Sequence, residues 1–268
     1  MKIVRFLDSA GETHYGSLQP DGTAFRIAGD ILANFTVTHQ KVAIAKLLAP
    51  LDPRAILCIG LNYREHAEET GAKIPKFPVL FAKNPAAIQN PGDPVEIPTK
   101  LASTQVDWEV ELAIVIGKRC KNVSPENALD YVLGYTICND VSARDWQKDW
   151  GGSQWCRGKT FDTFCPCGPA IVTRDEIPDP NTLALSMTVN GETVQNNNTA
   201  DMIFNVRQLV SFLSGSTTLL PGTLILTGTP EGVGMGMKPP RYLKAGDTMT
   251  ARIEKLGELT NPVIAEPA

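Results

Sequence analysis

Only three histidines, His14, His39 and His66, occur in the 268 residues, so imidazole chemistry has few places to reside. The six cysteines form no C-x-x-C pair, which argues against a zinc ribbon or a thioredoxin-type site and leaves reduced thiols as the expectation. Cys165-Pro166-Cys167 is the one close pair, and residues two apart on an extended chain point the same way. A soft metal there would still lack about half of the four ligands usual for zinc. Positive charge is also short: 25 Lys and Arg against 29 Asp and Glu leave a net −4 and a pI near 5.5, which disfavours a nucleic-acid or anionic-membrane partner. No apolar run approaches the roughly 20 residues that span a bilayer. Residues 1–12 carry acids where a signal or transit peptide would avoid them, so a cytoplasmic protein is expected. No repeat or low-complexity segment stands out.

What the chain does have is enough length to bury a full core, with 43% hydrophobic and 20% charged residues. From residue 55 onward, segments 55–60, 78–83, 108–117, 132–138, 183–191, 224–228 and 249–254 are apolar or alternating runs bounded by Gly, Pro, Asn and Asp, the pattern of strands. Helical spacing is rarer and falls at 62–70, 124–129, 143–148 and 206–213. The expected class is therefore mainly β with short helices, α+β. Short strands at Lys2–Leu7 and 14–18 suggest a small strand-rich region over 1–53, followed by a larger domain over 54–268. The glycine-rich stretch 232–236 lacks the Lys-Ser/Thr of a P-loop and runs into Lys238-Pro239-Pro240, so a flexible loop is expected there.

The most informative segment is Val106-Asp107-Trp108-Glu109-Val110-Glu111-Leu112-Ala113-Ile114-Val115-Ile116. As a strand it places Val106, Trp108, Val110, Leu112, Ile114 and Ile116 on one face and Asp107, Glu109 and Glu111 on the other. Carboxylates about 6.6 Å apart repel by roughly 0.6 kcal/mol in water but about 2.5 kcal/mol at an effective dielectric near 20. If the acid face is solvated, it is simply the wet side of a sheet. If it lines a cleft, a cation must offset the repulsion, and carboxylate oxygens suit Mg²⁺, Mn²⁺ or Ca²⁺. Asp140 ends another apolar run just before a helical pattern, where it could join the acids, or cap that helix, as Ser142 also could.

Glu109-x-Glu111, then 139–147 (Asn-Asp-Val-Ser-Ala-Arg-Asp-Trp-Gln), then 158–166 (Gly-Lys-Thr-Phe-Asp-Thr-Phe-Cys-Pro) together resemble the fumarylacetoacetate hydrolase family. Residues 59–66 are similar to its lid segment, and 221–234 to its closing strand and loop; the likeness covers about four-fifths of the chain and is loose before residue 54. The resemblance implies a mixed β-roll, a homodimer, and Mg²⁺ or Mn²⁺, with Ca²⁺ as a third hard ion, held by Glu109, Glu111 and Asp140. Asp107 is the fallback ligand.

It further implies His66 and Glu69 as a catalytic pair and Lys159 as the group that meets negative charge developing on the substrate. Arg144, Gln147, Thr229 and, more weakly, Lys83 would bind substrate. Each also has a plainer reading: a solvated helix face for His66, Glu69, Arg144 and Gln147, a surface lysine for Lys159, and a turn residue for Thr229. His66 and Glu69 are close enough on a helical turn for the acid to orient the imidazole. Gly71 just beyond would stop the helix or act as a hinge.

The substrate expected is a small 2-oxo or 2,4-dioxo carboxylate that reacts through an enolate stabilised by the metal. Hydrolysis of a C–C bond in an acylpyruvate is the first expectation; oxaloacetate keto–enol tautomerisation or decarboxylation is the second. The wording around Glu109 and Arg144 is similar to the animal domain-containing subgroup of the family, which favours the tautomerase alternative. A relative that binds metal or ligand without catalysis is the alternative of another class.

Overall fold

Alternating and apolar runs become strands close to where the sequence places them, as in Lys2–Leu7, Ala55–Gly60, Val79–Lys83, Val132–Asn139, Ala184–Val189 and Thr248–Ile253. The structure is a computed structural model that describes residues 1–267. It is mainly β with few and short helices, as expected.

The larger sheet is twelve-stranded and mixed. At its centre Val110–Ile116 pairs antiparallel with Val132–Asn139 on one side and with Thr223–Leu226 on the other. Thr223–Leu226 in turn runs parallel to Ala55–Gly60, which pairs with Val79–Lys83. A five-stranded sheet, which includes Ala184–Val189, Thr248–Ile253 and Gly257–Ala265, packs against it. Lys2–Leu7 pairs antiparallel with Cys165–Thr173, so the strands of the first fifty residues extend the same large sheet.

The alternation of the central segment is realised in the packing. Val106, Trp108, Val110, Leu112, Ile114 and Ile116 all enter the main core, together with Met187, Met249 and Leu209. Ala113 and Val115 enter a second core on the opposite face with Cys58, Cys138, Leu224 and Leu226. Both faces of the strand are therefore dry, which removes the wet-sheet alternative: Asp107, Glu109 and Glu111 lie at the end of a buried face and are at most 6% exposed. The pairing breaks at Trp108-Glu109, between the two-residue strand Val106–Asp107 and Val110–Ile116.

Helix Val206–Ser214 turns Val206, Leu209, Val210 and Leu213 into the main core. It starts with a capping box in which Asn205 and Gln208 satisfy each other's backbone N–H groups. The helical pattern at 143–148 resolves differently: Ser142–Ala143 is a strand paired with Val106–Asp107, and Asp145–Asp149 is a single π turn. A short helix Cys156–Lys159, which has no amphipathic signal of its own, carries Lys159. All six cysteines are free; Cys138, Cys165 and Cys167 are buried together in the second core, and neither potential metal-binding group among the described residues contains a cysteine. No helix among the described residues is long and apolar enough to cross a membrane.

Candidate metal centre and active site

Three buried carboxylates converge where the central strands begin and end. Glu109 and Glu111 flank the start of Val110–Ile116, and Asp140 follows the end of Val132–Asn139. The antiparallel register sets Val110 opposite Asn139 and thereby brings the acids together. Glu109, Glu111 and Asp140 each offer an oxygen within 4.8 Å of the others'. The peptide link Asp140 N–H to Glu109 O (2.9 Å) and the Asn139 side chain, which accepts from Glu109 N–H at 3.0 Å, fix this geometry.

Cations partly neutralise the trio. The Lys159 ammonium donates to Glu109 and Asp140, both at 2.7 Å, and Lys83 donates to Asp140 Oδ1 and to the Val141 carbonyl. Arg144 Nη1 lies 2.7 Å from Glu109, and its Nε donates to Asp107 at 2.8 Å. Burial raises the Glu109 pKa, but Lys159 and Arg144 outweigh that and hold it at about 2. Burial likewise works against the Lys159 charge, yet Asp140 and Glu109 outweigh it and push the lysine above its usual range.

Glu111 differs. Its oxygen accepts a 2.6 Å bond from Gly228 N–H but forms no ion pair among the described residues, and burial, then the charges of Asp140 and Glu109, push its pKa well up. Four buried acids (Asp107, Glu109, Glu111, Asp140) face three cations (Lys83, Arg144, Lys159), so one carboxyl group, that of Glu111, is left without a cationic partner. A hard divalent cation fits this donor set by charge and by ligand chemistry.

In front of the acids lies a cavity of about 200 Å³, lined by His66, Glu109, Glu111, Arg144, Gln147, Lys159 and Thr229 among others. Three of the expected site residues stand behind this lining. Asp140 is wholly buried under the lysines, and Lys83 directs its ammonium onto Asp140 rather than into the cavity. Glu69 Oε2 lies 3.1 Å from His66 Nδ1, while its Oε1 accepts from Gly232 N–H at 2.9 Å. That pairing engages His66 through Nδ1, and no hydrogen bond is made by its Nε2 among the described residues. The two residues occupy the helix Arg64–Glu69, whose end is followed by Gly71 at φ +65°, the left-handed conformation of a helix stop.

The helix-capping alternative for Asp140 and Ser142 is not what the structure holds: Asp140 binds the lysines, and the Ser142 hydroxyl donates to the Asp140 carbonyl. Arg144 and Gln147 are bonded to each other at 2.9 Å and buried, not solvated. Asp107 stands outside the metal trio. Besides Arg144 it accepts the N–H groups of Trp108, Gly234 and Met235, at 2.8, 2.7 and 3.0 Å. The glycine-rich stretch is irregular apart from a 3-10 turn at Gly234–Gly236, and it is tethered by Asp107 and by Glu69.

Three positioning residues escaped the sequence reading. Gln195 accepts from Val110 N–H and donates to the Thr229 hydroxyl at 2.8 Å. Asn62 ties the segment before the helix Arg64–Glu69 to the Thr227 carbonyl and to Phe204. Gly228, at φ +101°, has room for no Cβ because the Asn62 side chain would lie 2.7 Å from it. Asn62 sits inside a recognised segment, whereas Gln195 lies in a polar run with no local sign of its role. A second group, Asp8, Glu12 and His14, also clusters, but Asp8 is already engaged by the N–H groups of Ala10 and Glu12 and by His14 within one hairpin.

The description "Fumarylacetoacetate (FAA) hydrolase C-terminal" matches residues 55–264, and "Rv2993c-like, N-terminal" matches residues 1–50. The chain is 52% identical over 219 residues to the mitochondrial oxaloacetate tautomerase of Xenopus laevis, covering 81% of this chain and 68% of that one. Among solved structures, 5-carboxymethyl-2-hydroxymuconate delta-isomerase from Mycobacterium smegmatis superposes with a TM-score of 0.87 at 39% identity, covering 99% of this chain and 100% of that one. Fumarylacetoacetate hydrolase from psychrophilic Exiguobacterium antarcticum gives 0.86 at 39% identity with the same coverage.

Proposed function

Because the chain belongs to the fumarylacetoacetate hydrolase family, we propose that it is a divalent-metal-dependent enzyme that interconverts the keto and enol forms of a small 2-oxo acid of the oxaloacetate kind. The observation that carries this reading is the buried trio Glu109, Glu111 and Asp140 behind a cavity that His66 also lines. Glu109, Glu111 and Asp140 would hold Mg²⁺ or Mn²⁺, which would supply Lewis-acid polarisation of the substrate carbonyl.

The chain's own residues carry the remaining steps. Arg144, whose buried Nη2 has no hydrogen-bond partner, orients the substrate carboxylate. His66 Nε2 removes the proton from the carbon next to the carbonyl and returns one to the carbonyl oxygen, with Glu69 holding the ring and balancing its charge. Lys159 compensates the negative charge that develops on that oxygen. Thr229 and Gln147 complete the polar lining. In this reading Lys83 acts behind the cavity, on Asp140.

Hydrolysis of an acylpyruvate is the second reading, favoured by the likeness to the Exiguobacterium hydrolase. There His66 would take its proton from an attacking water. We also propose a homodimer, supported by the exposed Phe77 and Phe212, whose rings stack 6.3 Å apart on the surface.

Turnover of enol-oxaloacetate, acetylpyruvate and fumarylpyruvate by the Mg²⁺-loaded protein tests the assignment. Tautomerisation of oxaloacetate should be fastest. Faster cleavage of either acylpyruvate would select hydrolysis, release of CO₂ from oxaloacetate would select decarboxylation, and no turnover at all would leave a binding protein.

A further inference from the structure

Besides Lys159, two further cations line the cavity, and both have donors without a partner. Arg144 uses Nε on Asp107 and Nη1 on Glu109 and Gln147, but its Nη2 is buried and unpartnered. On the turn that follows, Lys148 also lines the cavity, as an exposed residue at its mouth, with no ion pair or hydrogen bond among the described residues. Burial and then the neighbouring Arg144 charge work against its ammonium, and Asp149 offsets them only in part, so its pKa falls below the usual lysine range. Thr70, Ala72, Trp155 and Met235 are uncharged parts of the same cavity lining, while the carboxylates that act on Lys148, those of Asp149, Asp107 and Glu109, do so without a direct contact. A cation kept near another cation, with carboxylates acting on it only from a distance and none in direct contact, becomes more favourable when an anion enters.

We propose that Lys148 is a specificity-determining residue that receives the distal carboxylate of the substrate, so that the site selects 2-oxo dicarboxylates over 2-oxo monocarboxylates of equal length. This rests on the proposed reading of the cavity as a 2-oxo-acid site and adds the charge of the substrate's far end. Arg144 takes the carboxylate beside the carbonyl; Lys148, further along the same turn, takes the one beyond it. The sequence pattern does not disclose this role, since Lys148 sits among Gln147, Asp149 and Trp150 as any surface lysine would.

Oxaloacetate and 2-oxobutyrate share a four-carbon chain and differ in the distal group, so the ratio of their dissociation constants isolates it. Calorimetry on the full-length, Mg²⁺-loaded protein is compared with Lys148→Ala, Lys148→Glu and Lys148→Arg. Loss of one charge-assisted contact should shift the ratio against oxaloacetate by about 10 to 100-fold in Lys148→Ala. The shift should be larger in Lys148→Glu and mostly reversed in Lys148→Arg. In tautomerisation assays the loss should appear in KM more than in kcat, as for a uniform binding contact. An unchanged ratio, or equal weakening of both acids, overturns the proposal. Because binding is read apart from turnover, a wild-type protein that prefers oxaloacetate without enolising it would overturn the proposed reaction while the ratio still decides the role of Lys148.

Discussion

The sheet wall of the cavity and the lid wall that faces it hold their side chains in different ways. On the sheet wall, Glu109 is gripped by Lys159, Arg144 and the Asn139 side chain, and Asp140 by two lysines, with partners drawn from strands, a π turn and a short helix. On the lid wall, His66 and Glu69 sit on a six-residue helix, and Glu69 reaches the rest of the site through one backbone amide, that of Gly232. The difference teaches a division of labour. The acids are fixed by a network of buried ion pairs, whereas the group that transfers a proton in the proposed reaction is mounted on a short helix held mainly by hydrogen bonds from Asn62, Arg64 and Glu65 to other segments.

The largest effect expected from breaking the comparison falls on the sheet wall. Glu111→Gln keeps the shape and the acceptor for Gly228 N–H but removes the one carboxylate with no cationic partner. Mg²⁺ or Mn²⁺ binding should fall below detection in calorimetry while the fold persists; unchanged affinity would remove Glu111 from the trio.

On the lid wall the loss should be kinetic. His66→Ala should lower kcat by about 10² to 10⁴-fold with metal affinity retained. Glu69→Gln should cost less, and the double variant should cost little more than His66→Ala alone, because the pair acts as a unit. Wild-type rates in His66→Ala would move the proton transfer to another group.

Lys83→Met sharpens the contrast between holding and reacting. Removing one partner of a buried pair costs about 3 to 5 kcal/mol, and here Lys159 remains on Asp140, so urea unfolding should report a loss near the lower end. A rise in KM at unchanged stability would instead make Lys83 a substrate contact.

Gly236→Ala gives the smallest effect. Its Cβ would lie 2.5 Å from the Glu69 carboxyl carbon and so displace that flexible side chain. A fall in kcat of about 10-fold is expected, below the roughly 10² to 10⁴-fold usual for losing an acid–base group outright, because the Glu69 carboxylate is displaced rather than removed. The fall should not add to that of Glu69→Gln; full additivity would mean that the glycine acts elsewhere.

Much of this was legible in the chain itself. Period-two alternation through 106–116 gave both the core face and the acid face, because side-chain direction on a strand is a local property. The motifs also pointed to the trio, whose carboxylates the fold does bring together, and to His66, Glu69 and Lys159 as expected site residues. Contacts between segments distant along the chain were not legible. Asp107 accepts amides more than 120 residues away, and any glycine offers such an amide, so no side-chain pattern marks the tether. Gln195 reaches Val110 across 85 residues. Lys83 looked like a strand-end lysine facing a ligand, and only the fold shows which acid it meets. The break at Glu109 and the π turn after Arg144 were equally hidden, since both depend on packing that local propensity does not report.

The most direct test of the central claim is ultraviolet-monitored decay of enol-oxaloacetate by protein freed of divalent ions with a chelator, before and after Mg²⁺ or Mn²⁺ is restored. The account predicts that tautomerisation ceases in the stripped protein and returns with either ion, and that Glu111→Gln stays inactive throughout. Full turnover by rigorously metal-free protein would contradict it.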